Sequence, residues 1–153
     1  MNIALNLNQY DINNIYYCDS IKNNVVNDGT FIRIIYSTEL FVTNGINLCV
    51  PFYDVLIEKY YNKYKCSINV INNQTTIERI YSIEREILNK INTKNKIIQM
   101  KISDQLKNGN FKIFSENIDK TNNSQLFILK ISGIWETDNY IGLTFKFCKI
   151  NQC

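Results

Sequence analysis

Hydrophobic and polar positions alternate most regularly near the C-terminus. Ile141, Leu143, Phe145 and Phe147 take every second place, and Gly142, Thr144, Lys146 and Cys148 fall between them. Successive side chains of a strand point to opposite faces, so this pattern predicts a strand with one apolar face and one small, polar and basic face. The run before it alternates less cleanly, with Phe127, Leu129 and Ile131 set against Ile128, Lys130 and Ser132. A central strand partly covered on both faces has that pattern. Glu136-Thr137-Asp138-Asn139 separates the two runs, so Gln125 to Phe147 reads as a β-hairpin with a four-residue loop and Trp135 at its turn.

The same period recurs upstream. After the turn signal Asn27-Asp28-Gly29, Thr30 to Ser37 places Ile32, Ile34 and Tyr36 on one face and Phe31, Arg33 and Ile35 on the other. Ile46 to Val50 is a strand that Pro51 ends or edges, because proline cannot donate to a ladder. Lys65 to Ile71, Lys96 to Ile102 and Phe111 to Phe114 are further strands. Residues 52 to 63 fit a helix or a strand, and DQLKNGN (Asp104 to Asn110) and Ser115 to Ser124 are polar breaks. The period changes once. Thr75-x-x-Glu78 is a capping box, and Ile77, Ile80, Ile83, Ile87, Leu88 and Ile91 recur at helical spacing, giving an amphipathic helix of four to five turns.

This order predicts an all-β fold with one main helix: an OB-fold-like five-stranded Greek-key barrel, with the helix between strands 3 and 4. A jelly roll and an α+β sheet with one covering helix are the competing architectures. Residues 1–24 read as an N-terminal arm or edge strand, 25–150 as the OB-like domain and 151–153 as a short tail.

Composition changes this picture mainly by exclusion. Asn and Ile make up about a third of the 153 residues, a bias that follows AT-rich codons, so the Asn-rich loops carry no chemistry by themselves. The sequons at Asn73 and Asn122 are chance matches in such a chain. There is no histidine, which removes the commonest general base and zinc ligand together. Five cysteines without a C-x-x-C pair read as reduced thiols in an intracellular protein. No signal peptide, membrane-spanning run, phosphate-binding loop or nucleophile elbow is present, and the carboxylates do not cluster for a metal. A non-enzymatic protein without cofactor or metal, and without a membrane partner, is the expectation.

The net charge of +3 permits a polyanion partner without requiring one. Binding of single-stranded nucleic acid needs cations along a backbone path and exposed rings on which bases stack. Arg33 and Tyr36 on the first long strand, Lys101, Lys107 and Lys112 in the middle, and Lys130, Trp135, Tyr140 and Lys146 on the final hairpin are the candidates. Each has a plainer role open to it. Lysines at alternate strand positions are commonly a wet face, Trp135 and Tyr140 can pair across the hairpin, and Lys107 can be a turn residue.

Three segments in order, TFIRIIYSTELFVTNGINLCVPF, QLKNGNFKIF and FILKISGIWETDNYIGLTFKF, resemble the short OB-fold single-stranded DNA-binding proteins of large nucleocytoplasmic DNA viruses. Those are related in turn to helix-destabilising proteins of tailed phages. The resemblance implies a protein of viral DNA replication or recombination, acting in the host cell where viral DNA is copied. It would coat single strands, with replication proteins and a second copy of the chain as further partners. The acidic tail of the phage members is missing at Lys149 to Cys153, which puts tail-mediated recruitment and dimerisation in doubt. The alternative is a virion or scaffold component that meets protein through its aromatic surface and binds no nucleic acid.

Overall fold

The two most regular runs form the two longest strands, β11 (Leu126–Glu136) and β12 (Tyr140–Lys149), paired antiparallel along almost their whole length. The computed structural model describes residues 3–22, 29–114 and 126–149. Glu136 pairs with Ile141, so the loop is shortened to Thr137-Asp138-Asn139, held by Thr137 N–H donating to the Tyr140 carbonyl. Ile141, Leu143 and Phe147 are buried and Thr144 and Lys146 exposed, as the alternation predicts.

Ten shorter strands flank this hairpin: β1 (Leu5–Asn6), β2 (Ile15–Tyr17), β3 (Ile21–Lys22), β4 (Thr30–Ser37), β5 (Val42–Asn44), β6 (Ile46–Pro51), β7 (Leu56–Tyr60), β8 (Lys63–Ser67), β9 (Ile97–Gln99) and β10 (Asn110–Phe114). The order across the sheet is β1-β6-β11-β12-β10-β8-β7. β11 changes partner half-way. Leu126 to Ile131 pairs with β6, the register shifts between Ile131 and Gly133, and Gly133 to Glu136 pairs with β4. β4 also carries β2, β3 and β5, while β9 lies parallel to the start of β12. Gly45, at a φ of +75°, turns β5 into β6; a Cβ there would lie 2.6 Å from the Ile131 carbonyl oxygen.

The helices are α1 (Gln74–Ile91) and α2 (Lys101–Lys107). Ile77, Ile80, Ile83, Ile87 and Leu88 of α1 and Ile102 and Leu106 of α2 join one core with the inward strand residues. Phe52, Phe111, Phe127 and Phe147 are its aromatic centre, with ring centroids 4.6 Å apart for Phe111 and Phe147 and 5.1 Å for Phe52 and Phe111. Each such ring contributes on the order of 1.5–3 kcal/mol by leaving water. Leu5, Tyr10 and Ile15 belong to the same core, so the N-terminal strands pack as part of this unit.

The fold is therefore mostly β with one main helix, as expected. The main helix comes between β8 and β9 of a large open sheet of twelve strands among the described residues. Residues 52 to 63 resolve as β7 with its turn, and the strand read at Lys65 to Ile71 runs from Lys63 to Ser67. The strand read at Lys96 to Ile102 stops at Gln99, and most of DQLKNGN is helical. Asn27, Asp28, Ser115 to Ser124, Gln125 and the tail 151–153 lie outside the described residues.

The capping box is not used either. Asn73 caps α1, yet its side chain serves the loops beside it: Oδ1 accepts from Tyr53 N–H, and Nδ2 donates to the carbonyls of Tyr53 and Asn69. Glu78 instead accepts from the Gln74 side chain. Asn73→Ala is expected to cost about 1–2 kcal/mol in chemical denaturation, because three backbone groups lose a partner at a buried position. An unchanged midpoint would show that the loops hold without it.

Candidate functional site

Both helices pack on one face of the sheet; on the opposite face, called the open face below, Lys65, Lys112 and Lys146 are exposed and Lys130 is half-buried, while Ile128 and Cys148 at one end of it are buried. On the open face the ladder registers bring four lysines side by side. Lys130 lies directly opposite Lys146, and Lys112 directly opposite Lys65. The parallel pair Ile113 and Phe147 sets Lys112, one residue earlier, beside Lys146. The row thus runs Asn47, Lys130, Lys146, Lys112, Lys65, Glu58 across β6, β11, β12, β10, β8 and β7. With neighbouring strands ~4.8 Å apart, the four ammonium-bearing chains span roughly 14 Å. None of the four is paired with a carboxylate among the described residues, whereas Lys96 and Glu136 form an ion pair at 2.7 Å. Like charges directly opposite each other destabilise a sheet.

The other end of the same face is aromatic. Arg33 pairs with Gly133, and Phe31 with Trp135, so both project beside the hairpin. The Trp135 ring packs against Gly142, where a Cβ would lie 2.5 Å from the nearest indole atom. Lys101, at the start of α2, holds its Nζ 4.8 Å from the Trp135 ring centre, a cation–π contact. Tyr140 is exposed one pair further along β12. Tyr16, Ile21 and Ile97, also exposed, extend this surface over β2, β3 and β9. Among the described strand residues on this face, Glu58 at the β7 edge is the one carboxylate.

Seven of the nine sequence candidates therefore share this surface: Arg33, Lys101, Lys112, Lys130, Trp135, Tyr140 and Lys146. Two do not. Tyr36 is 1% exposed, packed between Tyr10 and Phe41 on the core side, and its hydroxyl accepts from Asp11 N–H and Asn14 Nδ2. It offers no face to a base. Lys107 ends α2 and sits over the Tyr81 ring of α1, 4.5 Å from its centre, away from the lysine row. Lys101 is present for a different reason than the one expected, since it reaches the face from a helix and not from a strand.

Sequence reasoning missed Lys65 and Tyr60, both on the open side of the β7–β8 hairpin. Lys65 already stood between Cys66 and Tyr64, which are buried, so its outward direction was available. That it stands opposite Lys112 could not be read, because β8 and β10 are separated by α1, β9 and α2.

The thiols are not uniform. Cys18 and Cys49 are free and half-buried, and Cys66 is free and buried. Burial pushes the Cys66 thiol up to about 12, against a small opposing effect of Lys149, so it is inert at neutral pH. Among the described residues no group of three His, Cys, Asp or Glu side chains could hold a metal ion, and no helix is long and apolar enough to cross a membrane.

No family model, curated protein or solved structure matches this chain. What defines it is its architecture: a mostly β protein whose helices cover one face of an open sheet and whose other face is basic and aromatic.

Proposed function

We propose that the open face binds single-stranded DNA without sequence preference, and that the protein is a binding protein rather than an enzyme. The observation that carries this reading is the row Lys130, Lys146, Lys112 and Lys65, four cations on adjacent strands with no carboxylate between them. Its mutual repulsion is relieved by a polyanion, and displaced counterions supply the driving force. Single strands suit it better than duplex. Six strands at ~4.8 Å make a surface far broader than the ~12 Å major groove, whereas flat sheets with exposed rings are a known platform for unstacked bases.

An OB-type relation is part of the proposal. β4 pairs with β5 at one end and β11 at the other, and β6, continuous with β5 through Gly45, pairs with β11 as well. This circuit of strands supports a partly open barrel at that corner. A place in viral DNA replication or recombination, and in the host cell, rests on the three resembling segments. The competing reading, a virion or scaffold component, is favoured by Ile21 and Ile97, apolar and exposed on the same face.

Salt separates the two. Anisotropy of labelled oligo-dT is expected to give a log affinity that falls linearly with log salt, the four lysines contributing a slope of about −3. Binding that ignores salt, or duplex preferred over single strands, overturns the reading. Trp135→Ala is expected to cost about 1–3 kcal/mol of binding, through loss of a stacked base. Since Trp135 is the single tryptophan, its emission reports directly. Unchanged emission in a sample with bound oligonucleotide would remove Trp135 from the contact.

A further inference from the structure

The lysine row does not fade out at the sheet edge; it ends in a cleft. Glu58, Tyr60, Lys63, Lys65, Asn110 and Lys112 line a depression of about 470 Å³ over β7, β8 and β10. The registers explain its composition. Lys65 stands between Glu58 on one side and Lys112 on the other, and Lys63 stands opposite Tyr60. Neither Lys65 nor Lys112 has an ion-pair or hydrogen-bond partner among the described residues. Tyr60 is 60% exposed, and Tyr61, 81% exposed, buttresses it edge-on at 4.7 Å.

We propose that this cleft seats a phosphomonoester, the phosphorylated end of a bound strand, with Tyr60 under the terminal base. The inference rests on the binding role proposed above and adds recognition of an end. Two features separate it from one more internal phosphate contact. A phosphomonoester carries about −1.5 to −2 charge at pH 7, against one for a diester, and here lysines converge from two adjacent strands. Glu58 then closes the row: a strand continuing past Lys65 would bring its next phosphate against a carboxylate on the outermost strand. The same carboxylate can accept hydrogen bonds from a sugar hydroxyl or a base amino group.

The test uses the full chain and three oligo-dT ligands of one length, bearing a 5′-phosphate, a 3′-phosphate or hydroxyls at both ends. Thymidine monophosphate serves as competitor. One of the two phosphorylated ligands is expected to bind at least about tenfold tighter than the hydroxyl form at low salt, and which one gives the polarity. The free nucleotide is expected to abolish only that excess; competition against all three ligands equally would place it elsewhere and overturn the assignment. A Lys65→Ala/Lys112→Ala variant, altered only at exposed positions, is expected to bind all three ligands more weakly and with equal affinity. If the wild-type protein binds the three alike, end recognition is wrong while single-strand binding stands. If it binds none of them, the parent reading falls as well.

Discussion

Replacing Lys65, Lys112, Lys130 and Lys146 together with glutamine should lower affinity for oligo-dT several hundred-fold at 0.1 M salt, and flatten the salt dependence by about 3 in log–log slope. Both figures follow from roughly 0.7 of a counterion per neutralised phosphate on a single strand, taken over four contacts. The same variant should be more stable than the parent protein. Lys130 faces Lys146 and Lys112 faces Lys65 across their ladders, and each like-charged pair costs roughly 0.2–1 kcal/mol. Weaker binding with a higher melting temperature is a combination that misfolding cannot produce. Unchanged affinity would mean that the row is only a solvated face. Lost affinity with lost stability would mean that the lysines hold the sheet in some other way.

The second large effect concerns stability, and it arises far from the open face. Glu84 of α1 is 1% exposed and its carboxylate faces the first turn of α2. Its oxygens accept from Ile102 N–H at 3.1 Å, Ser103 N–H at 3.0 Å and Ser103 Oγ at 2.6 Å. The two amides have no partner inside their own helix, so a carboxylate from a neighbouring helix does the work of a cap. Glu84→Ala is expected to destabilise by about 2–4 kcal/mol, since it leaves buried donors unpaired and opens a space in the core.

The pH dependence gives a sharper signature. Burial holds the Glu84 carboxyl above its ordinary range; the hydrogen bonds from Ser103 and Ile102 oppose the rise, and Asp104 adds to it. The folded state then keeps the proton to higher pH than the unfolded chain does. The group's stabilisation is complete below the unfolded value and declines as pH rises through the folded one. The cost of Glu84→Ala should therefore be greatest near pH 4, about the ordinary carboxylate value, and shrink towards neutrality. A cost that grows with pH would mean that the charged form is the favoured one.

Much of the fold could be read in advance where neighbouring residues decide the matter. The alternation at Thr30 to Ser37 and at Ile141 to Cys148 assigned both faces of β4 and β12, and the isoleucine spacing gave α1 within a residue or two. What could not be read depends on residues distant in the chain. α2 has seven residues and ends at Asn108-Gly109, too short to show a helical period, and its first turn is fixed by Glu84 from another helix. The strand order β12, β10, β8, β7 leaves out β9, both helices and β11, so no local pattern reveals that Lys112 bridges Lys146 and Lys65. Tyr36 was misplaced for a related reason. Its alternation put it on the apolar face, but its hydroxyl partners come from Asp11 and Asn14 at the other end of the N-terminal region.

The change of partner along β11 has a consequence for how the protein is made. β4 and β6 meet their shared neighbour only when Leu126 to Glu136 arrives, so during translation the whole stretch between β6 and β11 must be made before the central seam can close. Until then two unsatisfied β-edges wait in solution, and a topology dominated by such distant pairings folds slowly. Docking of the last hairpin between β4 and β6 is therefore the late step that the order of the strands imposes on folding.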